Sequence, residues 1–123
     1  MTVVRVLIVD DQAPFLRAMS AVIGETTGFE VVGEASSGEE AIVASGALLP
    51  DLVLMDVNLP GIDGVEATRR LRGRLSPPVV LLLSTYDEDA GVRFVAECGA
   101  AAYVTKSAFG PDLLREAWGA ATD

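Results

Sequence analysis

The sequence predicts an α/β protein built on a parallel sheet with helices on both faces. Five short apolar runs recur along its 123 residues, and between them lie segments whose apolar residues have helical spacing. Each run is continuous rather than alternating with polar residues, which is typical of a strand covered on both faces. Parallel strands joined by right-handed helical crossovers form an open, doubly wound sheet. The length fits one domain, since domains commonly have roughly 100–150 residues.

The predicted strands are the apolar runs themselves, at Val4–Val9, Phe29–Gly33, Leu52–Met55, Val79–Leu83 and Ala101–Val104. The pair Pro77-Pro78 cannot be helical and is expected to lead into the fourth strand. The chain therefore reads as strand then helix, five times.

Apolar stripes predict the five helices. Pro14 and Pro111 suit first-turn positions, where a missing N–H costs little. Asp63 followed by Glu66 resembles a capping box, and Gly99 is placed to end the fourth helix in the left-handed conformation. The stripes, in chain order, are Phe15, Met19, Val22 and Ile23; Ala41, Ile42, Ser45 and Leu48; Val65, Ala67, Thr68 and Leu71; Val92, Val95 and Ala96; and Leu113, Leu114, Ala117, Trp118 and Ala121.

Charge and composition exclude several kinds of function. Eighteen acidic residues against nine basic ones give a net charge of −9, which disfavours binding of this domain to nucleic acid through a basic surface. The chain has no histidine, which excludes a histidine-based zinc site and a catalytic triad. Any metal is then expected to be a hard cation held by oxygen atoms.

The remaining composition indicates a cytoplasmic protein that does not enter membranes. Cys98 is the only cysteine, so no internal disulfide can form, which suits a reducing compartment. Without a histidine to activate it, Cys98 is expected to be a small buried residue near a helix end. No apolar stretch approaches the roughly 20 residues needed to span a bilayer.

Chemically active side chains follow the predicted strands. Ligands of such sheets bind beyond the carboxyl ends of the strands, where the strand order reverses. Three carboxylates brought together there would repel one another unless a cation neutralised them, and Mg²⁺ prefers oxygen ligands. With such a metal bound, one carboxylate could attack a phosphoryl group, and a fixed lysine could stabilise the phosphoryl oxygens. The residues that follow the strands are Asp10 and Asp11, Asp56 and Asn58, Ser84 and Thr85, and Lys106.

These residues, in this order, give the whole chain a resemblance to a known family. The acidic pair, the run from Leu54 to Gly64, the Ser84-Thr85 pair and Lys106 resemble a receiver domain of two-component response regulators. The segments 84–87 and 99–106 are most similar to the NarL/FixJ-type receivers, which usually precede a helix-turn-helix output domain of the LuxR type. The resemblance implies a flavodoxin-like (CheY-like) (βα)5 fold with strand order 2-1-3-4-5, and residues 1–123 as one receiver.

The resemblance also implies a role for each site residue. Asp56 would accept a phosphoryl group from a sensor histidine kinase, with Ser84 and Lys106 contacting the phosphoryl oxygens. Mg²⁺, or Mn²⁺ in its place, would be held by Asp10, Asp11, Asp56 and the backbone carbonyl of Asn58, with Asp10 acting through water. Pro60 and Gly61 would shape the loop after the phosphorylation site, and Tyr103 would turn inward when Ser84 moves.

The same resemblance implies how the domain acts in a cell. Phosphorylation is expected to produce a homodimer and to control transcription, with DNA bound only through a separate output domain. Beyond self-catalysed phosphotransfer and dephosphorylation, no enzymatic activity is expected. Two departures from the family pattern stand out: Thr85 replaces a smaller residue and could narrow access to Asp56, and Ser107 replaces a proline that often follows the lysine.

Alternative interpretations remain beside this one. A haloacid-dehalogenase-type phosphatase would need an acid where Asn58 stands, and a flavodoxin-like cofactor carrier would suffer repulsion between its phosphate and the acidic pair. A receiver that acts as an interaction or dimerisation module without phosphorylation stays open. Asp10 and Asp11 could merely cap the first helix, Asp56 could be a turn residue, and Tyr103 could lie on a sheet edge with its hydroxyl in water.

Overall fold

Five strands alternate with five α-helices in the structure, a computed structural model that describes residues 2–122 apart from the side chain of Glu88. A 3₁₀ turn at Lys106–Ala108 joins the last strand to the last helix. The strands are β1 (Val4–Val9), β2 (Phe29–Ala35), β3 (Leu52–Asp56), β4 (Val79–Ser84) and β5 (Ala102–Thr105). The helices are α1 (Ala13–Gly24), α2 (Gly38–Leu48), α3 (Gly64–Arg72), α4 (Glu88–Cys98) and α5 (Pro111–Thr122).

The strands form one parallel sheet in the order β2-β1-β3-β4-β5, which confirms the predicted doubly wound fold. Strand order reverses between β1 and β3, so a crevice opens beyond the carboxyl ends of these two strands. No helix within residues 2–122 is long and apolar enough to cross a membrane.

The sheet separates two hydrophobic cores. Along β1, Val6 and Ile8 face the core beneath α1 and α5, whereas Leu7 and Val9 face the core beneath α2, α3 and α4. All four side chains are fully buried, because each face of the strand is covered by helices. This two-sided burial is the reason that the central strands read as continuous apolar runs.

Helix ends follow the local sequence signals in most cases. Pro14 and Pro111 lie in first turns, and Gly99 ends α4 with a φ of +81°. The Asp63 carboxylate accepts a hydrogen bond from the Glu66 N–H at 2.8 Å. The Glu66 carboxylate instead pairs with the guanidinium groups of α3, so only half of the predicted capping box forms.

Two sequence-based expectations need correction. Val92 and Ala96 of α4 are exposed, Val92 to 70%, so the predicted stripe of this helix is wrong at both positions. The helix instead buries Gly91 and Cys98, because the Tyr103 ring of β5 packs so closely that a Cβ at position 91 would lie 2.0 Å from it. Strand β2 also continues two residues beyond its predicted end, to Ala35.

The amino ends of the strands lie at the opposite edge of the sheet. There Trp118 of α5 packs edge-to-face on Phe29, with ring centroids 6.4 Å apart. Trp118 also lines a cleft with Pro50 and Val79, which lie near the starts of β3 and β4.

Candidate functional site

The residues predicted to form the site meet at the carboxyl edge of the sheet. Asp10 directly follows β1, Asp56 and Ser84 are the last residues of β3 and β4, and Lys106 directly follows β5. Asp56, Ser84 and Lys106 border a cleft of about 200 Å³. The other lining residues are Asp11, Gln12, Phe15, Asn58 and Thr85.

Three carboxylates lie close together at this edge of the sheet. Each of Asp10, Asp11 and Asp56 offers an oxygen within 4.8 Å of the others. Asp10 is fully buried and Asp56 is 4% exposed, whereas Asp11 is exposed. The N–H of Gln12 donates a hydrogen bond to Asp10 Oδ1 at 2.9 Å, so part of the Asp10 carboxylate is fixed by the start of the following segment.

Lys106 supplies the cation that faces these carboxylates. Its Nζ lies 2.8 Å from Asp10 Oδ2, in an ion pair whose angles fall outside hydrogen-bond geometry, and 3.5 Å from Asp56 Oδ1. The Lys106 side chain is only 11% exposed, and its ammonium also lies 3.8 Å from the centroid of the Phe15 ring. One positive charge therefore stands against three carboxylates.

Asp56 has a raised pKa because its ionised form is destabilised in this arrangement. Burial, and after it the negative charge of Asp10, raises the pKa of Asp56 from 3.8 to about 6, although Lys106 and the Asn58 N–H act in the opposite direction. A divalent cation held between the carboxylates would remove much of this destabilisation. The donor set, carboxylate oxygens in a small polar cleft, fits a hard cation such as Mg²⁺.

Ser84 contributes a hydroxyl whose hydrogen bonding is incomplete. Its Oγ is buried and makes no hydrogen bond of good geometry among the described residues, although it lies close enough to the Tyr103 hydroxyl to act on the pKa of Tyr103. An unpaired buried hydroxyl is unusual, and here it lines the cleft beside Asp56. Thr85 is exposed at the rim of the same cleft, where its side chain adds bulk.

The loop between β3 and α3 is held from two sides. Gly61 adopts a φ of +74°, Pro60 is exposed, and the Ile62 N–H donates to Glu39 Oε2 of α2 at 3.2 Å. Asn58 is exposed at the cleft, and its Oδ1 accepts a hydrogen bond from the Tyr86 hydroxyl at 3.1 Å.

Tyr103 does not line the cleft, but its hydroxyl lies beside Ser84. Its hydroxyl donates a hydrogen bond of 2.6 Å to the Tyr86 carbonyl oxygen, so it is not free in water as the alternative reading had it. Burial raises the pKa of Tyr103, and its ring lies 6.3 Å from that of Phe94. The peptide bond between Lys106 and Ser107 is trans.

The contacts of two residues at the site were missed by sequence reasoning. Phe15 was assigned to the core stripe of α1, yet its ring also contacts the Lys106 ammonium. Tyr86 received no role, although it bonds both Asn58 and Tyr103. Helical spacing indicates only that Phe15 is buried, and Tyr86 lies in a loop with no periodic pattern, so none of these contacts could be found without the tertiary structure.

Comparisons with known proteins agree with this geometry. The sequence profile of the response regulator receiver domain matches residues 6–118. The chain is 42% identical over 106 residues to the response regulator GacA of Pseudomonas viridiflava, covering 85% of this chain and 49% of the relative. It is 36% identical over 104 residues to the transcriptional regulatory protein LiaR of Bacillus subtilis, with the same coverage of 85% and 49%. The chain thus spans about half the length of these curated relatives.

Solved structures give the same result. The signal receiver domain of a response regulator named NarL from Mycobacterium tuberculosis superposes with a TM-score of 0.89 at 31% identity, covering 98% of both chains. A LuxR-family two-component response regulator from Aurantimonas superposes with a TM-score of 0.85 at 33% identity, covering 97% of this chain and 84% of that one. Fold, site composition and sequence similarity agree, and the chain belongs to the response regulator receiver domain family, among relatives of the LuxR/NarL type.

Proposed function

We propose that this domain is a phosphorylation switch that accepts a phosphoryl group on Asp56 from a sensor histidine kinase. The observation that carries the proposal is the cleft in which Asp56 faces the Lys106 ammonium and the unpartnered Ser84 hydroxyl. A carboxylate, a fixed cation and a free hydroxyl donor are the groups that a transferring phosphoryl group requires.

Mg²⁺, or Mn²⁺ in its place, is the metal that the donor set favours. Asp10, Asp11, Asp56 and the backbone carbonyl of Asn58 would hold it, with Asp10 acting through water. The bound ion would neutralise carboxylate charge and that of the incoming phosphoryl oxygens.

The chemistry proposed for the chain's own residues is a direct displacement. A carboxylate oxygen of Asp56 forms a bond to phosphorus while the P–N bond of the phosphohistidine breaks, and the kinase imidazole leaves with the bonding electron pair. Ser84 donates its hydroxyl to one phosphoryl oxygen, and Lys106 forms an ion pair with another. Hydrolysis of the acyl phosphate by water then resets Asp56.

The expected readout is a two-state shift. Ser84 and Lys106 move toward the phosphoryl group, and Tyr103 repacks together with α4 and β5. In the present structure the Tyr103 hydroxyl lies beside Ser84 and bonds the carbonyl oxygen of Tyr86, so a movement of Ser84 would be felt directly at Tyr103. We propose homodimerisation as one consequence of this shift. We propose transcriptional control through a separate helix-turn-helix output domain as another, because GacA and LiaR are regulators about twice as long as the matched region.

Intact-protein mass spectrometry tests the proposal. The protein is incubated with acetyl phosphate and Mg²⁺, with EDTA and with Asp56→Asn as controls. Gain of one acid-stable, base-labile phosphoryl group, absent from both controls, is the expected result. If the folded protein gains none, and none is transferred from a phosphorylated histidine kinase either, the domain is instead a phosphorylation-independent interaction module. Thr85→Ala would then test whether the Thr85 side chain at the rim of the cleft blocks access to Asp56.

A further inference from the structure

We propose that Phe15 is a positioning residue for Lys106, holding the lysine ammonium in the cleft through the face of its aromatic ring. The inference rests on the proposed function, because it concerns how Lys106 is kept available for a phosphoryl group. Phe15 lies in the first turn of α1, directly after Pro14, and packs against the core beneath α1 and α5.

The ammonium of Lys106 has three neighbours of two kinds. Two are carboxylates, with Asp10 at 2.8 Å and Asp56 at 3.5 Å. The third is the Phe15 ring, whose centroid lies 3.8 Å from Nζ, well within the range in which an aromatic face attracts a cation. The lysine is mostly buried, which strengthens that attraction because little water screens it.

The proposed function makes the third neighbour important. Carboxylates that ligate a divalent cation offer less negative charge to Lys106, so the ion pairs seen here weaken when the cluster is occupied. The ring of Phe15 is not a metal ligand, and its attraction for the ammonium persists in either state. Phe15 therefore keeps the positive charge beside Asp56 at the stage when a phosphoryl group arrives.

A neighbouring pocket offers room into which the aliphatic stem of Lys106 could shift. Phe15 and Lys106 line the acidic cleft, and both also line an apolar pocket of about 110 Å³ on the α1 and α5 side. The two side chains thus form a wall between the cleft and the pocket. Without the ring, the long lysine stem would have room to move away from Asp56, and the ammonium would spend less time in the cleft.

Three variants separate positioning from simple packing. Phe15→Leu keeps an apolar but smaller side chain and removes the ring, whereas Phe15→Tyr keeps the ring. Phe109→Leu is the matched control, because Phe109 lines the same pocket but makes no cation–π contact among the described residues. Circular dichroism confirms that each variant is folded before it is used.

The first measurement is the NMR chemical shift of the Lys106 ε-methylene protons, with and without Mg²⁺. A ring face beside the ammonium shifts these protons upfield. The wild type and Phe15→Tyr are expected to show this shift in both conditions. Its absence from the Mg²⁺-loaded wild type would overturn the proposal, whatever the phosphorylation assay shows.

The second measurement is the rate of phosphorylation by acetyl phosphate at fixed Mg²⁺. Phe15→Leu is expected to lose roughly three- to tenfold, the size of one partly desolvated cation–π contact, while Phe15→Tyr and Phe109→Leu stay within about twofold of the wild type. An unchanged rate in Phe15→Leu, or an equal loss in Phe109→Leu, contradicts positioning. If the wild type itself gains no phosphoryl group, the proposed function fails, and the chemical shift alone decides where Phe15 holds the lysine.

Discussion

Asp56 imposes an electrostatic cost on the folded chain, which Asp56→Asn is expected to remove. Its pKa rises from 3.8 to about 6 on folding, so the folded state holds this proton more tightly than the unfolded state. Relative to its ionised form, the protonated carboxyl group stabilises the folded state. This stabilisation is complete below about pH 4 and is lost as the pH rises through 6. In EDTA at pH 7.5, the free energy of unfolding of Asp56→Asn should exceed that of the wild type by about 2–3 kcal/mol.

Urea denaturation between pH 4 and pH 8 checks this prediction. The difference between the two proteins should shrink toward zero as the pH falls to 4, because the wild-type carboxyl group is then protonated in the folded state. A difference that stays constant over this range would contradict the account. Glu30→Gln, at an exposed position of β2 with no ion pair among the described residues, serves as a control for loss of a charge alone.

Ser84 presents the opposite case, a group whose removal should leave the resting fold intact. Its hydroxyl is buried, and its one polar neighbour among the described side chains, the Tyr103 hydroxyl, lies outside good hydrogen-bond geometry. Ser84→Ala is therefore expected to change the free energy of unfolding by less than about 1 kcal/mol. Phosphorylation-dependent dimerisation, measured by sedimentation after loading with acetyl phosphate, should be lost. Dimerisation that persists in Ser84→Ala would show that the switch does not pass through this hydroxyl.

Helix α3 approaches the site so closely that its first residue must be glycine. A Cβ at Gly64 would lie 2.0 Å from the backbone carbonyl oxygen of Asp56, and that backbone belongs to a central strand with no room to shift. Gly64→Ala is expected to lower the free energy of unfolding by about 2–3 kcal/mol, as overpacking does elsewhere.

Gly119 provides the matched control for that substitution. It lies within α5, and a Cβ there would meet nothing within 4 Å. Gly119→Ala should therefore stabilise the protein by about 0.5–1 kcal/mol through helix propensity. Denaturation curves that move both variants in the same direction would refute the steric explanation for Gly64.

Strand bounds show what apolar runs can and cannot predict. The central strands β3 and β4 are continuous apolar runs buried on both faces, and β1 departs from such a run only at Arg5. These runs therefore predicted the three strands within one residue of their ends. Strand β2 lies at the sheet edge and is paired only with β1, so polar Glu34 is tolerated within it. A run of apolar residues therefore stops at Gly33, two residues before the strand ends.

The site was predictable to a different degree. The parallel topology alone brings Asp10, Asp56, Ser84 and Lys106 to one edge, so their proximity followed from the order of strands and residues. The contact of Phe15 with Lys106 depends on how α1 lies across the sheet, which no local spacing encodes. The exposed Val92 was misassigned for the same reason, because the partner of α4 is Tyr103, more than ten residues away.

Metal binding should stabilise the entire domain, since the cation would bind the folded carboxylate cluster and not the unfolded chain. At free Mg²⁺ a hundredfold above its Kd, the expected gain is about 2.7 kcal/mol, seen as a rise in Tm of several degrees. Asp11→Asn is expected to abolish most of this rise in Tm, because it removes one of the three carboxylates that would hold the ion. The substitution leaves the ion pairs of Lys106 with Asp10 and Asp56 intact, so it changes little else at the site. Calorimetry with NaCl at matched ionic strength excludes general screening.

Trp118 lies at the edge of the sheet opposite the acidic cleft, so its fluorescence can report on events at that distant edge. The only tryptophan of the chain lies against Phe29 and borders the cleft at the amino ends of the strands, so a ligand in the acidic cleft cannot quench its fluorescence by contact. Its emission would follow the docking of α5 during unfolding. If that emission also changes when Asp56 is phosphorylated, a conformational change has reached the amino ends of the strands from the carboxyl ends. The rate of that change could then be measured by stopped-flow fluorescence.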